Sequence, residues 1–128
     1  REFVKAVGEK AAAYRDALTG YALELREQKA VTSENFTVTP AMRQAFYDRL
    51  TKKGVAVSPA TFQAAGTFID QQLGYEISRY TFGRPAESRR RWQDDLQMQE
   101  ALRLLRSAAT PKDLLTLASA ASVPPSAN

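Results

Sequence analysis

The chain contains no cysteine and no histidine. The first absence excludes a disulfide framework and a thiolate nucleophile. The second excludes an imidazole for a Ser-His-Asp triad or an acid–base shuttle, and the two together remove the ligands of most zinc sites. Lack of cysteine suits every compartment and so does not locate the protein. Long apolar runs are missing as well. Ala11-Ala12-Ala13 is typical of what there is, far short of the roughly 20 residues that a membrane span needs. The glycine-rich fingerprints that cradle phosphate are absent. Ser58, Ser78, Ser88 and Ser107 fall on helices or caps, none in the glycine-rich strand–turn–helix setting that activates a serine, so a Ser–Lys pair has no support. Catalysis by this chain alone is not expected, and no cofactor or metal is implied. No signal peptide is visible. Because the chain opens on Arg1, that absence says little about where the wider protein works.

What is present is ordinary globular material. Of 128 residues, 44% are hydrophobic and 25% charged, and the net charge is +4. This suits one domain with a modest core, expected over residues 1–123, followed by a frayed tail at 124–128. The mild positive charge favours acidic partners weakly. It lacks the concentrated footprint of a nucleic-acid binder, and no row of large apolar residues accompanies the basic stretch as a membrane-surface helix would require.

The periodicity predicts an all-α fold, an irregular bundle of about five helices, the first one long. Val4, Val7, Ala11, Tyr14, Leu18, Tyr21 and Leu25 step by three and four, the pattern of an amphipathic helix over residues 1–30. Gly8 and Gly20 weaken it by about 1 kcal/mol each. The seam would run about 32 Å. The shorter helices that follow need their own stripes for each other, so part of the seam is expected to meet a second subunit or an upstream domain. The expected interface residues are Tyr14, Leu18, Tyr21 and Leu25.

A helix-start signal then occurs three times, as Thr39-Pro40, Ser58-Pro59 and Thr110-Pro111. A hydroxyl side chain can accept a bond from an unpaired amide of the first turn, and proline tolerates the first helical position. The second helix is expected from Pro40 to about Lys53 on the stripe Met42, Phe46, Leu50, with Gly54 as its left-handed stop. The third is expected from Pro59 to about Tyr80, with Gly66 and Gly74 marking the close approach of another helix or a kink. Phe82-Gly83 ends it. A short polar helix over 85–92 follows, then a helix from Asp94 or Asp95 with Met98, Ala101, Leu102, Leu105 and Ala108 as its buried stripe. A last helix carries Leu114, Leu115, Leu117 and Ala118. Phe36 is expected to pin the first long connector to the core.

Two constellations invite chemistry. Asp94-Asp95 is the only adjacent acid pair, but it lacks the acid-rich loop of a calcium site and reads as a helix cap. Arg89, Arg90 and Arg91 form the densest basic stretch, ending at Trp92. On a helix, three consecutive side chains fan over about 200°, so they read as a solvated, salt-bridged face rather than one clamp.

The order of certain segments resembles a known family. Phe36-Thr37-Val38-Thr39-Pro40-Ala41-Met42-Arg43-Gln44-Ala45-Phe46 is followed by a Lys-Gly turn and a long helix. That helix leads into Glu76-Ile77-Ser78-Arg79-Tyr80-Thr81-Phe82-Gly83, and then Asp95-Leu96-Gln97-Met98-Gln99-Glu100-Ala101-Leu102-Arg103-Leu104-Leu105. This resembles the C-terminal helical extension of bacterial carboxy-terminal processing proteases, also called tail-specific proteases, over a little more than half the chain. The resemblance implies a non-catalytic accessory module that packs on, orients or oligomerises a serine protease outside the cytoplasm. Its partner would be an upstream protease domain of the same parent chain, or further copies of itself. The PDZ-like and Ser–Lys domains of that family are not in this stretch, so no catalytic residue is carried over. The competing reading is a stand-alone helical module that binds an acidic partner or nucleic acid through Arg89, Arg90 and Arg91.

Overall fold

The computed structural model describes residues 2–107. The expected last helix with its Thr110-Pro111 start, Ala108 and the 124–128 tail lie outside them. Among the described residues every regular element is an α-helix: α1 (Glu2–Gly8), α2 (Ala11–Glu27), α3 (Pro40–Lys52), α4 (Pro59–Ala64), α5 (Gly66–Phe82) and α6 (Arg84–Arg106). The chain divides into two compact units, Arg1–Ser88 and Arg89–Asn128. The division falls inside α6, where no glycine or proline marks it in the sequence.

In the first unit α2 lies against α5 and α3. Its stripe Ala17, Leu18, Tyr21, Ala22 and Leu25 is buried, against Phe46 and Leu50 of α3 and Ile69, Leu73 and Ile77 of α5. The connectors add apolar side chains of their own. Val55 and Val57 are buried on either side of an exposed Ala56, which is the alternation of an extended segment without a pairing partner. Phe36 packs half-buried against the same core, as its position in the first connector leads one to expect.

Two of the three helix-start signals fall on described residues, and both operate. Thr39 Oγ1 accepts from the Met42 amide at 3.1 Å, and Ser58 Oγ accepts from the Thr61 amide at 3.1 Å. A proline stands in the first turn each time. Gly54, at φ 80°, closes α3: its amide donates to the Thr51 carbonyl at 3.0 Å, and the Val55 amide donates to the Leu50 carbonyl at 2.9 Å. These are the paired bonds of a Schellman stop. The same bond pair closes α2, from Lys29 to Arg26 and from Ala30 to Leu25. There Lys29 holds φ 53° without glycine's freedom.

The expected long first helix is a correction. The helix breaks after Gly8, and α2 starts anew at Ala11. The break lets α1 turn so that Phe3, outside the predicted seam, packs edge-on against Tyr14 at 5.7 Å and Phe68 at 6.0 Å. Val4, inside the predicted seam, is left 65% exposed. Burying a phenyl ring outweighs the few backbone bonds lost at a glycine-weakened position.

Two further boundaries differ from expectation. The predicted third helix is divided at Ala65, where Gly66 begins α5. A Cβ on Gly66 would meet nothing within 4 Å, so Gly66 serves the break and not a close approach. Gly74, in contrast, is buried. The predicted pause between Trp92 and Asp94 is absent, and α6 runs through it. An aspartate caps only where the chain has reason to start, and within a run of good helix formers it stays on the helix.

Candidate functional site

A depression of the first unit lies between α3 and the α4–α5 corner, a groove of about 630 Å³. One wall is Pro40, Arg43, Gln44 and Tyr47, spaced to share one face of α3. This face borders the Phe46–Leu50 stripe that enters the core, and Tyr47 packs against that core. The other wall is Phe62 of α4 with Thr67 and Asp70 of α5. Tyr47 and Phe62 meet edge to face at 4.9 Å. The Tyr47 hydroxyl donates to the Val57 carbonyl, which holds the ring in place and ties α3 to the next connector.

Across the groove the Arg43 guanidinium donates from Nη1 to both carboxylate oxygens of Asp70, at 2.9 and 2.8 Å. Both side chains keep about a third of their surface, 31% and 37%, so the charges cancel locally while solvent reaches the pair. The groove is therefore neutral, floored by aromatic rings and edged by amides and a hydroxyl. It can seat a peptide side chain or a small amphipathic group. Among the described residues no group of three or more carboxylates gathers to hold a metal. Sequence reasoning missed this site because Arg43 and Asp70 are 27 positions apart. The one available signal was that Pro40, Arg43 and Tyr47 lie together along one edge of the core stripe of α3.

The residues expected at an interface belong to α2. Leu18, Tyr21 and Leu25 are 4%, 5% and 6% exposed. They are covered within this one copy and have little surface left for another. Tyr14 is half-buried between Phe3 and Phe46. Its hydroxyl is buried without a hydrogen-bond partner, and burial pushes its pKa up to about 12 against a small opposing pull from Arg15. Burial also raises the pKa of Tyr21, helped by the Glu24 carboxylate and opposed by Arg49. The Arg49 guanidinium lies 5.8 Å from the Tyr21 ring centre and pairs with Glu24.

In the second unit, Arg89 and Arg91 are exposed and Arg90 is half-buried on α6. Each of the three is engaged by neighbours. The stripe expected to be buried is the larger difference. Met98 and Leu102 are 59% and 44% exposed, and Trp92, Leu96 and Leu104 are exposed too. Ala101 and Leu105 are only half-covered. Met98, Ala101, Leu102 and Leu105 share one helix face, so α6 presents an apolar strip to solvent.

Among the described residues no helix is long and apolar enough to cross a membrane. The chain matches no known family, no curated protein and no solved structure.

Proposed function

We propose that this chain is a non-catalytic helical accessory module that docks on the protease domain of a carboxy-terminal processing serine protease, its own parent chain, and orients or oligomerises it. The observation that carries the reading is the accessible Met98–Leu102 strip of α6. It lies in the Asp95–Leu105 stretch whose pattern resembles the family's helical extension. An apolar strip left accessible on a charged helix is a surface waiting for a partner. The resemblance names the partner as the protease domain that would precede the module in one polypeptide. The groove beside Arg43 and the neutralised Arg43–Asp70 pair suit recognition better than bond-making.

The test is binding. A carboxy-terminal processing protease trimmed of its own helical extension is titrated with this chain and with the Met98→Glu/Leu102→Glu variant. The wild-type chain should bind and alter the rate at which the protease clears an unstructured substrate, and the variant should do neither while keeping its helical circular dichroism. Equal binding by both, or by neither, overturns the reading. Hydrolysis by this chain alone that vanishes on changing one of its serines would overturn it as well.

A further inference from the structure

The bend between α1 and α2 points to a second use of the amino-terminal helix. α1 has seven residues and one buried side chain, Phe3. It packs on α2 and α4, and its Phe3 also meets Phe68 of α5. Its seat is formed by Tyr14, Phe68, Ala60, Ala64 and Ala65, all within the first unit. One buried aromatic ring, with Ala6 and Val7 half-buried behind it, thus holds α1 down.

The bend itself is weakly defended. α2 starts at Ala11-Ala12-Ala13 with Lys10 ahead of it, and no side chain caps its first amides, in contrast to α3 and α4. The bent residues, Gly8, Glu9 and Lys10, include no proline, and nothing crowds Gly8. Alanine is the strongest helix former, and the amides at the start of α2 lack partners that a continuous helix would supply. The heptad stripe Val4, Val7, Ala11 and Tyr14 continues through the bend without a change of register. In one copy, straightening would strip Phe3 from its seat.

We propose that two copies exchange α1: the bend opens, α1 and α2 join into one helix, and Phe3 of each copy fills the seat of the other. The occupant of the seat is the segment that already fills it within one copy, so every Phe3 contact is kept while helix bonds are added at the former bend. Association entropy opposes the exchange and concentration drives it. The inference is independent of any protease, since it uses only α1, α2, α4 and α5.

The chain is refolded at high concentration and sized by chromatography with light scattering. A dimer should appear and grow with concentration. Phe3→Ala should abolish it. Glu9→Gly combined with Lys10→Gly, which disfavours a continuous helix and suits a turn, should lower the dimer population by about tenfold or more. Monomers of both variants should keep their helical spectra. A mixture of Glu2→Cys and Ala64→Cys chains, which place thiols across the seat in a protein otherwise free of cysteine, should crosslink between copies in the dimer fraction through a short bis-maleimide. A chain that stays monomeric at millimolar concentration overturns the proposal. So does a dimer indifferent to Phe3→Ala and to the glycine pair, or a dimer fraction without the intercopy crosslink.

Discussion

Tyr14 shows how one side chain couples the packing of this protein to pH. Its ring is sandwiched between Phe3 and Phe46, at 5.7 and 5.6 Å, and its hydroxyl is buried without a partner. Ionising it would place a phenolate where nothing solvates the charge, so its pKa is pushed up from 10.0 to about 12. The sign follows from proton counting. Between those two values the folded chain keeps the phenol proton that the unfolded chain has lost, so stability falls as pH rises. Below pH 10 the contribution is fully present. Above pH 12 it is gone, a loss on the order of 2 kcal/mol. Tyr14→Phe removes both the titration and the unpartnered hydroxyl while keeping the ring. Urea unfolding at a series of pH values should show the wild-type loss between pH 10 and 12 shallower in the variant. At pH 7 the variant should be equal to wild type or more stable by up to about 1 kcal/mol. An unchanged alkaline slope would show that Tyr14 is not the titrating group.

At the level of elements, local chemistry decides where α3 and α4 start, whereas tertiary contact decides where α1 ends. Thr39→Ala leaves the Met42 amide without its acceptor and should lower stability by about 1 kcal/mol, and Ser58→Ala should do likewise for Thr61. Thr39→Asn should restore most of the loss, which a merely spatial role of the threonine would not allow. Thermal melts of the three variants decide this. The same contrast explains what was legible in the sequence. Hydroxyl–proline pairs and the Gly54 stop act within five positions of the chain, so Thr39, Ser58 and Gly54 could be read directly. The stripe of α2 could be read because its core positions repeat. Phe3 could not, because its value lies in Tyr14 and in Phe68, which is far along the chain. A continuous seam through Val4 scored well on spacing while the ring beside it made the contacts. The Arg43–Asp70 groove was hidden for the same reason: each member lies beside the core stripe of its own helix, and only the fold brings the two together. The Met98–Leu102 strip was read correctly as an apolar stripe and incorrectly as covered, since spacing reports which face is apolar and not what covers it.

At the scale of the whole molecule, the described core belongs to the first unit. Every buried side chain among the described residues lies at or before Ala86, inside the unit that ends at Ser88. The helices that carry them close on one another through Leu18, Leu50, Ile69, Leu73 and Ile77, with the Gly83 stop and Ala86 still included. Of the residues beyond Ser88, those described supply a helix whose apolar side chains are exposed or half-covered. A chain of 88 residues is large enough to sustain one core. The truncated chain of residues 1–88 should therefore fold alone and unfold in one cooperative transition, with a midpoint within about 5 °C of the corresponding transition in the full chain. Leu73→Ala, at a position with no exposed surface, should destabilise the full chain and the truncated chain alike by about 2–5 kcal/mol. Circular dichroism melts of the four proteins provide the comparison. If the truncated chain melts without cooperativity, or if Leu73→Ala costs the two forms different amounts, the core must draw on residues beyond Ser88. If the transitions coincide, the later residues contribute little to the stability of that core, and the apolar strip on α6 is left to serve contact with something else.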